Sequence, residues 1–263
     1  MNIIEVIKER RSVRSFNGQP LTQEMERILN DAIADGSDPF GGKVTIRLKY
    51  FDLKEGYKPS TYGMIKGATN FFLLGIRSDE ASALSAGFRF EQVVLKAREL
   101  GLGTCWIAAT FKGSDFDRGE TWPDGEELKI ISPVGIAEKP RLLEKIGRKV
   151  MGSNNRKPFA ELFFTDNFSQ SLSPDSHFGE SLEMLRLAPS STNSQPWRAL
   201  VAGDTVHFYY KPKSPVSVLD CGIGMCHFYL TEEFLGRNGE FYKAHSIPTP
   251  PENWKYLYSF RER

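Results

Sequence analysis

Ala188-Pro189-Ser190-Ser191-Thr192-Asn193-Ser194-Gln195-Pro196-Trp197 is the stretch on which the reading of this chain turns. Two prolines bracket a run of small hydroxyl and amide side chains, and an indole closes it. Proline lacks an amide donor and clashes with the preceding turn, so the run cannot be a helix interior. Its Ser, Thr and Asn groups either bond their own backbone or present themselves to a ligand. A second segment, Arg10-Arg11-Ser12-Val13-Arg14, offers fork-shaped cationic donors suited to an anionic, planar ligand. Taken alone, that basic run reads as a solvated helix end favoured by the helix dipole. The two segments lie in opposite halves of the chain.

Between them the chain is patterned as a folded protein. It has 263 residues, 40% hydrophobic and 25% charged, which suits one large domain or two smaller ones. A net charge of +1 provides no basic field for nucleic acid. The first ten residues carry charge every few positions, without the apolar core of a signal peptide. No apolar run is long enough to span a bilayer. Cys105, Cys221 and Cys226 form no disulfide framework, so a cytoplasmic protein is expected.

Ile3, Ile4 and Ile7 recur at helical spacing. Thr22 reads as the N-cap of a second helix carrying Met25, Ile28, Leu29, Ala32 and Ile33. Residues 44–48 and 70–76 read as strands, 83–100 as a long helix, 104–108 as a buried strand or strand-like turn, and 130–136 as a strand. Residues 151–180 are polar and read as a loop-like connector. Beyond it, 178–187 reads as a helix, 198–201 and 206–210 as strands paired around Gly203-Asp204, and 222–235 as a helix. The second half echoes the first: Leu84-Ser85-Ala86-Gly87-Phe88 matches Leu219-Asp220-Cys221-Gly222-Ile223 in type and position. The expected division is an N-terminal half over 1–150, a connector over 151–177 and a shortened C-terminal half over 178–263.

Leu100-Gly101-Leu102-Gly103-Thr104-Cys105-Trp106-Ile107 is the third informative segment. Its glycines end a helix, and the backbone beyond them can approach a flat ligand closely. It follows a helix and not a strand, which argues against a dinucleotide fingerprint. No nucleophile elbow or Walker loop is present, and no metal-ligand set stands out. The acidic residues between Asp115 and Glu127, Asp124 among them, read as a solvated surface.

In this order, the three segments resemble the nitroreductase family of flavin enzymes. That resemblance implies an α+β fold with a mixed, antiparallel-dominated sheet flanked by helices, and FMN held between two subunits. In such a pair, one subunit supplies the Arg-x-Ser-x-Arg segment and the glycine turn, and the other the Pro-Ser-Ser-x-Asn loop. Here each half keeps what the other lacks. Residues 36–42, Gly-Ser-Asp-Pro-Phe-Gly-Gly, are a degenerate form of the loop, and Leu235-Gly236-Arg237-Asn238-Gly239 lacks the glycine turn. The chain is therefore similar to a subgroup in which two subunits are fused into a single-chain pseudo-dimer with one complete site, so a monomer is expected.

Carried over residue by residue, the resemblance implies that Arg10, with Arg11 beside it, binds the FMN phosphate and Ser12 the ribityl or ring region. Arg14 lies at the pyrimidine edge. Trp106, Ile107, Ala108 and Ala109 pass along the ring, the N–H of Ala108 facing N5. Pro189, Ser190, Ser191 and Asn193 reach the flavin from the other half. Arg156 or Lys157 also meets the phosphate, and Lys66 touches the ring edge. The implied activity is NAD(P)H-driven ping-pong reduction of a nitroaromatic, quinone or similar small acceptor, with the chemistry on the flavin and no side-chain acid or base assigned. The alternatives are a non-catalytic FMN-binding or storage module, and an interaction protein that has lost its cofactor.

Overall fold

The computed structural model describes residues 1–52, 58–123, 125–138 and 155–263. Asp124 of the acidic loop and the expected boundary between residues 150 and 151 lie outside them. The first unit runs α1 (Ile3–Glu9), α2 (Gln23–Asp35), β1 (Val44–Tyr50), β2 (Asn70–Arg77), α3 (Glu80–Glu99), β3 (Gly103–Thr104), a short α4 (Gly113–Phe116) and β4 (Glu126–Gly135). The second continues with β5 (Phe163–Thr165), β6 (Asn167–Ser171), α5 (Gly179–Leu187), β7 (Trp197–Ala202), β8 (Thr205–Tyr210), α6 (Ser217–Phe234), β9 (Gly239–Tyr242) and β10 (Lys255–Glu262).

Local chemistry sets the helix starts. Asn2 and Glu5 form a reciprocal capping box on α1, and Thr22 accepts from the Met25 N–H as expected of an N-cap. The interior strands β2 and β8 are buried along nearly their whole length, since sheet neighbours and long helices cover both sides. Their apolar side chains join those of α3 and α6 in a single core running through both units.

The sheets reveal the duplication. The first has the order β1-β2-β4-β3, and within the second the run β7-β8-β10-β9 repeats that order. Pairing is antiparallel throughout both runs. The long helices end alike: the Gly101 N–H bonds to the Arg98 carbonyl and that of Leu102 to Ala97, while Gly236 and Arg237 bond to Glu233 and Glu232. Gly101 and Gly236 have φ of +76° and +75°. The glycine turn expected to be missing from the second half is therefore present as a helix cap. The cap requires only one residue that accepts a left-handed backbone, not the Gly-x-Gly pattern.

At the crossing of α3 and α6 the resemblance of 84–88 to 219–223 acquires a physical meaning. A Cβ on Gly87 would lie 2.2 Å from the Leu219 carbonyl oxygen, and one on Gly222 would lie 2.3 Å from that of Leu84. The two helices touch backbone to backbone through equivalent residues, as a two-fold contact requires.

The second sheet departs from the first at its outer edge. Residues 151–180 were expected to be a loop, yet β5 pairs in parallel with β7, and β6 pairs antiparallel with β5. Phe163 is fully buried there. Leu162 and Phe164 beside it are also buried, but β6 is mostly exposed and polar, which hid the strands. Strands β9 and β10 also escaped the pattern, since a register shift between Tyr256 and Tyr258 breaks the alternation of β10. Among the described residues, no helix is long and apolar enough to cross a membrane.

Candidate functional site

The Arg-Ser-Val-Arg segment leaves α1 in an extended conformation and is stitched into the first unit by its backbone. The Val13 N–H donates to the Thr104 carbonyl (2.8 Å), Lys66 N–H to Arg14 and Phe16 N–H to Lys66 (both 2.9 Å). Beyond β3 the chain turns so that Ile107 exchanges both backbone hydrogen bonds with Ile131 of β4 (3.0 Å each). These contacts place Ser12, Arg14 and residues 105–110 on one wall of a cavity of about 360 Å³. That size falls in the usual range for a small-molecule pocket, roughly 300–1,000 Å³.

The opposite wall comes from the second unit. Pro189, Ser190, Ser191 and Thr192 meet the first turns of α6, where Val216, Leu219, Asp220 and Ile223 face in. Two segments from opposite ends of the chain thus share one cavity, because α3 and α6 pack across the unit boundary.

The loop after α5 is held in a costly shape. Thr192, Asn193 and Gln195 have φ of 51°, 56° and 47°. Such left-handed residues cost about 1–3 kcal/mol each, most for a β-branched threonine. A dense set of bonds offsets this. The Ser191 N–H donates to both Asp220 oxygens (3.1 Å each), and the Gln195 N–H to Ser190 Oγ (2.9 Å). Arg156 donates to Asn193 Oδ1 (3.1 Å) and the Leu187 carbonyl (3.0 Å), and Lys157 Nζ to the Ser194 carbonyl (2.9 Å).

The expected residues separate into groups. Ser12, Arg14, Trp106, Ile107, Ala108, Ala109, Pro189, Ser190 and Ser191 line the cavity. Arg156 and Asn193 bond each other behind the loop. Arg10 lies beside buried Glu91 of α3 (Nε to Oε1, 3.7 Å). Burial first, then the nearby charges of Arg10 and Arg186, lowers the pKa of Arg156. Arg11 is exposed and lines, together with Glu9, Arg10 and Arg98, a crevice distinct from the cavity. Lys66 is also exposed and joins the site only through its backbone. Arg11 and Val13 alternate with Ser12 and Arg14 along an extended segment and so face that crevice instead.

Sequence reading missed Met64, Cys105, Thr110, Ile130, Val216, Leu219, Asp220 and Ile223 on the walls. Most are apolar and indistinguishable in sequence from core residues. Asp220 had a signal: a lone carboxylate among Val218, Leu219, Cys221 and Ile223 near the start of an apolar helix. Burial pushes its pKa up to about 7, outweighing the opposing bonds from Ser191 and Ser194. The unfolded chain loses that proton near pH 3.8, so native stability falls as pH rises from there to about 7. Asp220→Asn removes this dependence. Relative to its difference from wild type at pH 4, the variant should gain about 2–4 kcal/mol by pH 8, measured by urea unfolding at both pH values.

The duplicate cleft is closed. Phe40, from the degenerate loop after α2, packs on Phe88 of α3 (5.6 Å between ring centroids), Phe241 of β9 (5.6 Å) and Tyr258 of β10 (4.8 Å). Phe88 stands where Ile223 stands in the open cavity. Aromatic rings thus fill the space that a ligand would take.

The fold and site define an α+β protein of two similar units with a cavity lined from both. The family model described as "Putative TM nitroreductase" matches residues 2–232, and the chain belongs to that family. A solved structure from Thermotoga maritima, described as a "putative nitroreductase", is 21% identical, with 99% of this chain and 94% of that one covered and a TM-score of 0.63. A nitroreductase family protein from Clostridium difficile is 19% identical, covering 61% and 96%, with a TM-score of 0.45. A nitroreductase with bound FMN from Desulfitobacterium hafniense is 16% identical, covering 54% and 92%, with a TM-score of 0.46. No curated protein sequence matches the chain.

Proposed function

We propose that this chain is an FMN-dependent oxidoreductase that uses NAD(P)H to reduce a nitroaromatic, quinone or similar small acceptor. The observation that carries this reading is the two-sided cavity. One wall offers Ser12 and Arg14, the other Pro189, Ser190 and Ser191, and Arg14 Nε is buried with no hydrogen-bond partner. An unpaired buried donor is costly, and a ligand carbonyl at that point would satisfy it. The apolar faces of Pro189, Ile130 and Ile223 suit a flat ring. Arg10 and Arg156 repel each other, and a phosphate between them would relieve that repulsion.

The residues therefore fit FMN, with Arg10 and Arg156 holding its phosphate and Arg14 at its pyrimidine edge. When bound, FMN supplies the redox chemistry, passing electrons from NAD(P)H to the acceptor. The protein's share is to bind and orient the ring, to set a cation where negative charge develops, and to exclude water from the inner wall. Both walls come from one chain, so a monomer suffices. The division into 1–150, 151–177 and 178–263 belongs to this reading, with the connector also supplying β5 and β6 to the second unit.

The test is the visible spectrum of the purified protein, with FMN added to any colourless preparation. No bound flavin and no uptake would end the proposal. Flavin that NAD(P)H does not reduce would favour the storage module. Arg14→Ala and Ser190→Ala, one from each wall, should each weaken FMN binding by roughly tenfold or more in a fluorescence titration. Unchanged affinity in both would refute a shared site.

A further inference from the structure

We propose that Asp220 is the proton donor of the cavity, delivering from its carboxyl the proton that an acceptor takes up as it is reduced there. This rests on the flavin reading above. Asp220 is 3% exposed, and what exposure it has is to the cavity it lines from the first turn of α6. Among the described residues lining that cavity it is the only carboxyl.

Anchoring the loop does not explain the carboxyl on this helix. In the closed duplicate cleft the equivalent helix position is Ser85, which donates to Asp38 of the loop (2.5 Å) and accepts from the Gly42 N–H (2.9 Å). There the loop is anchored by a carboxyl of its own. In the open cleft the loop carries none, and the carboxyl has its place on the cavity wall. The half that could admit a ligand has an acid there, and the half filled by rings has a hydroxyl.

The groups facing Asp220 leave it about half protonated near neutrality. Ser191 and Ser194 offer hydrogen bonds but no charge. Arg14 and Cys105 are the other ionisable side chains on the cavity walls, and burial holds Cys105 as a thiol. On its own helix Asp220 adjoins Cys221, also a buried thiol. The helix N-terminus favours the anion by only about 0.3–1 kcal/mol. That is less than the effect of burial, which brings the carboxyl to about pH 7.

The step balances for a quinone. The Asp220 Oδ–H bond breaks and an O–H bond forms on the quinone oxygen. Reduced flavin supplies the two electrons and the second hydrogen as a hydride equivalent. The product is the hydroquinone, and solvent reprotonates the carboxylate.

Asp220→Asn keeps the size and an oxygen for the Ser191 N–H but holds no transferable acid proton. The experiment mixes FMN-loaded, pre-reduced protein anaerobically with benzoquinone across a pH series. It also records infrared difference spectra of the carboxyl C=O band without acceptor. Wild type should lose rate as pH rises through about 7 and show a protonated carboxyl band that fades over the same range. Asp220→Asn should lack that band and oxidise roughly a hundredfold more slowly, with a flat profile. Asp220→Glu should restore part of the rate. Should Asp220→Asn fail to fold, Asp220→Ser installs what the other half carries and takes its place. Flavin-loaded variants with the wild-type rate and pH profile, or no protonated carboxyl in wild type at neutral pH, would overturn this inference alone. Wild type that takes up no FMN would overturn the flavin reading as well.

Discussion

Alanine at both Gly87 and Gly222 is expected to lower the stability of this protein by about 3 kcal/mol or more. The sign is not obvious beforehand. Glycine within a helix costs roughly 0.5–1 kcal/mol relative to alanine, so on propensity alone the double variant would be more stable. Packing overrides propensity here. Each new methyl carbon would sit 2.2–2.3 Å from a backbone oxygen of the facing helix, and backbone atoms cannot swing aside as a flexible side chain can. The helices must separate, and the core that runs through both units opens with them. The same movement parts the cavity walls, so FMN affinity should fall together with stability. Urea unfolding and a flavin titration measure the two losses. Gly113→Ala is the control: nothing lies within 4 Å of its added carbon, so its stability should stay within about 0.5 kcal/mol of wild type. A double variant as stable as that control would show that the helices do not meet as described.

Glu91→Ala is expected to cost about 3–5 kcal/mol, whereas Glu91→Gln should cost about 1 kcal/mol or less. Glu91 and His227 are fully buried at the unit boundary. Glu91 Oε2 accepts from Trp106 Nε1 (2.8 Å), and Oε1 lies 3.0 Å from His227 Nε2 and 3.7 Å from Arg10 Nε. His227 Nδ1 faces the Met184 carbonyl at 3.0 Å, and a carbonyl can only accept, so Nδ1 carries a hydrogen. A single further proton then lies between Nε2 and Oε1. Alanine removes both acceptors and strands the indole N–H, the imidazole and Arg10 in a sealed space. Glutamine can accept from Trp106 through its oxygen and donate to Nε2 through its amide, keeping both hydrogen bonds while removing the charge beside Arg10. Chemical denaturation of both variants gives the comparison. Equal losses would mean that the charge of Glu91 matters more than its hydrogen bonds. Trp106 lines the cavity, so the alanine variant should also bind FMN less tightly.

Much of this architecture was legible in the chain. Thr22 marked its helix start, and the apolar runs at 44–48, 70–76 and 206–210 marked strands. The match of 84–88 with 219–223 marked the duplication, because the requirement for a backbone contact is written as glycine at equivalent places. Other parts were not legible. Strands β5 and β6 hid in a polar stretch, since the hairpin buries Phe163 and Phe164 but exposes most of β6. Arg11 and Lys66 look in sequence like Arg14, yet the alternation of an extended segment and the exposure of Lys66 take their side chains elsewhere. The aromatic plug of the duplicate cleft was equally hidden. Phe40 is a single residue in a short loop, and its partners Phe88, Phe241 and Tyr258 are scattered along the chain.

By itself the sequence determined the family, the two-fold echo, and three segments that contribute to the cavity walls, because proline, glycine and clustered arginine each restrict the backbone or the chemistry locally. Only the tertiary structure decided that residues 189–192 share one cavity with Ser12 and Arg14, that the second cleft is filled, and that Asp220 stands on the open wall. Those facts depend on how α3 and α6 cross. Packing between elements distant in the chain is set by the joint shape of many side chains, which no local pattern encodes.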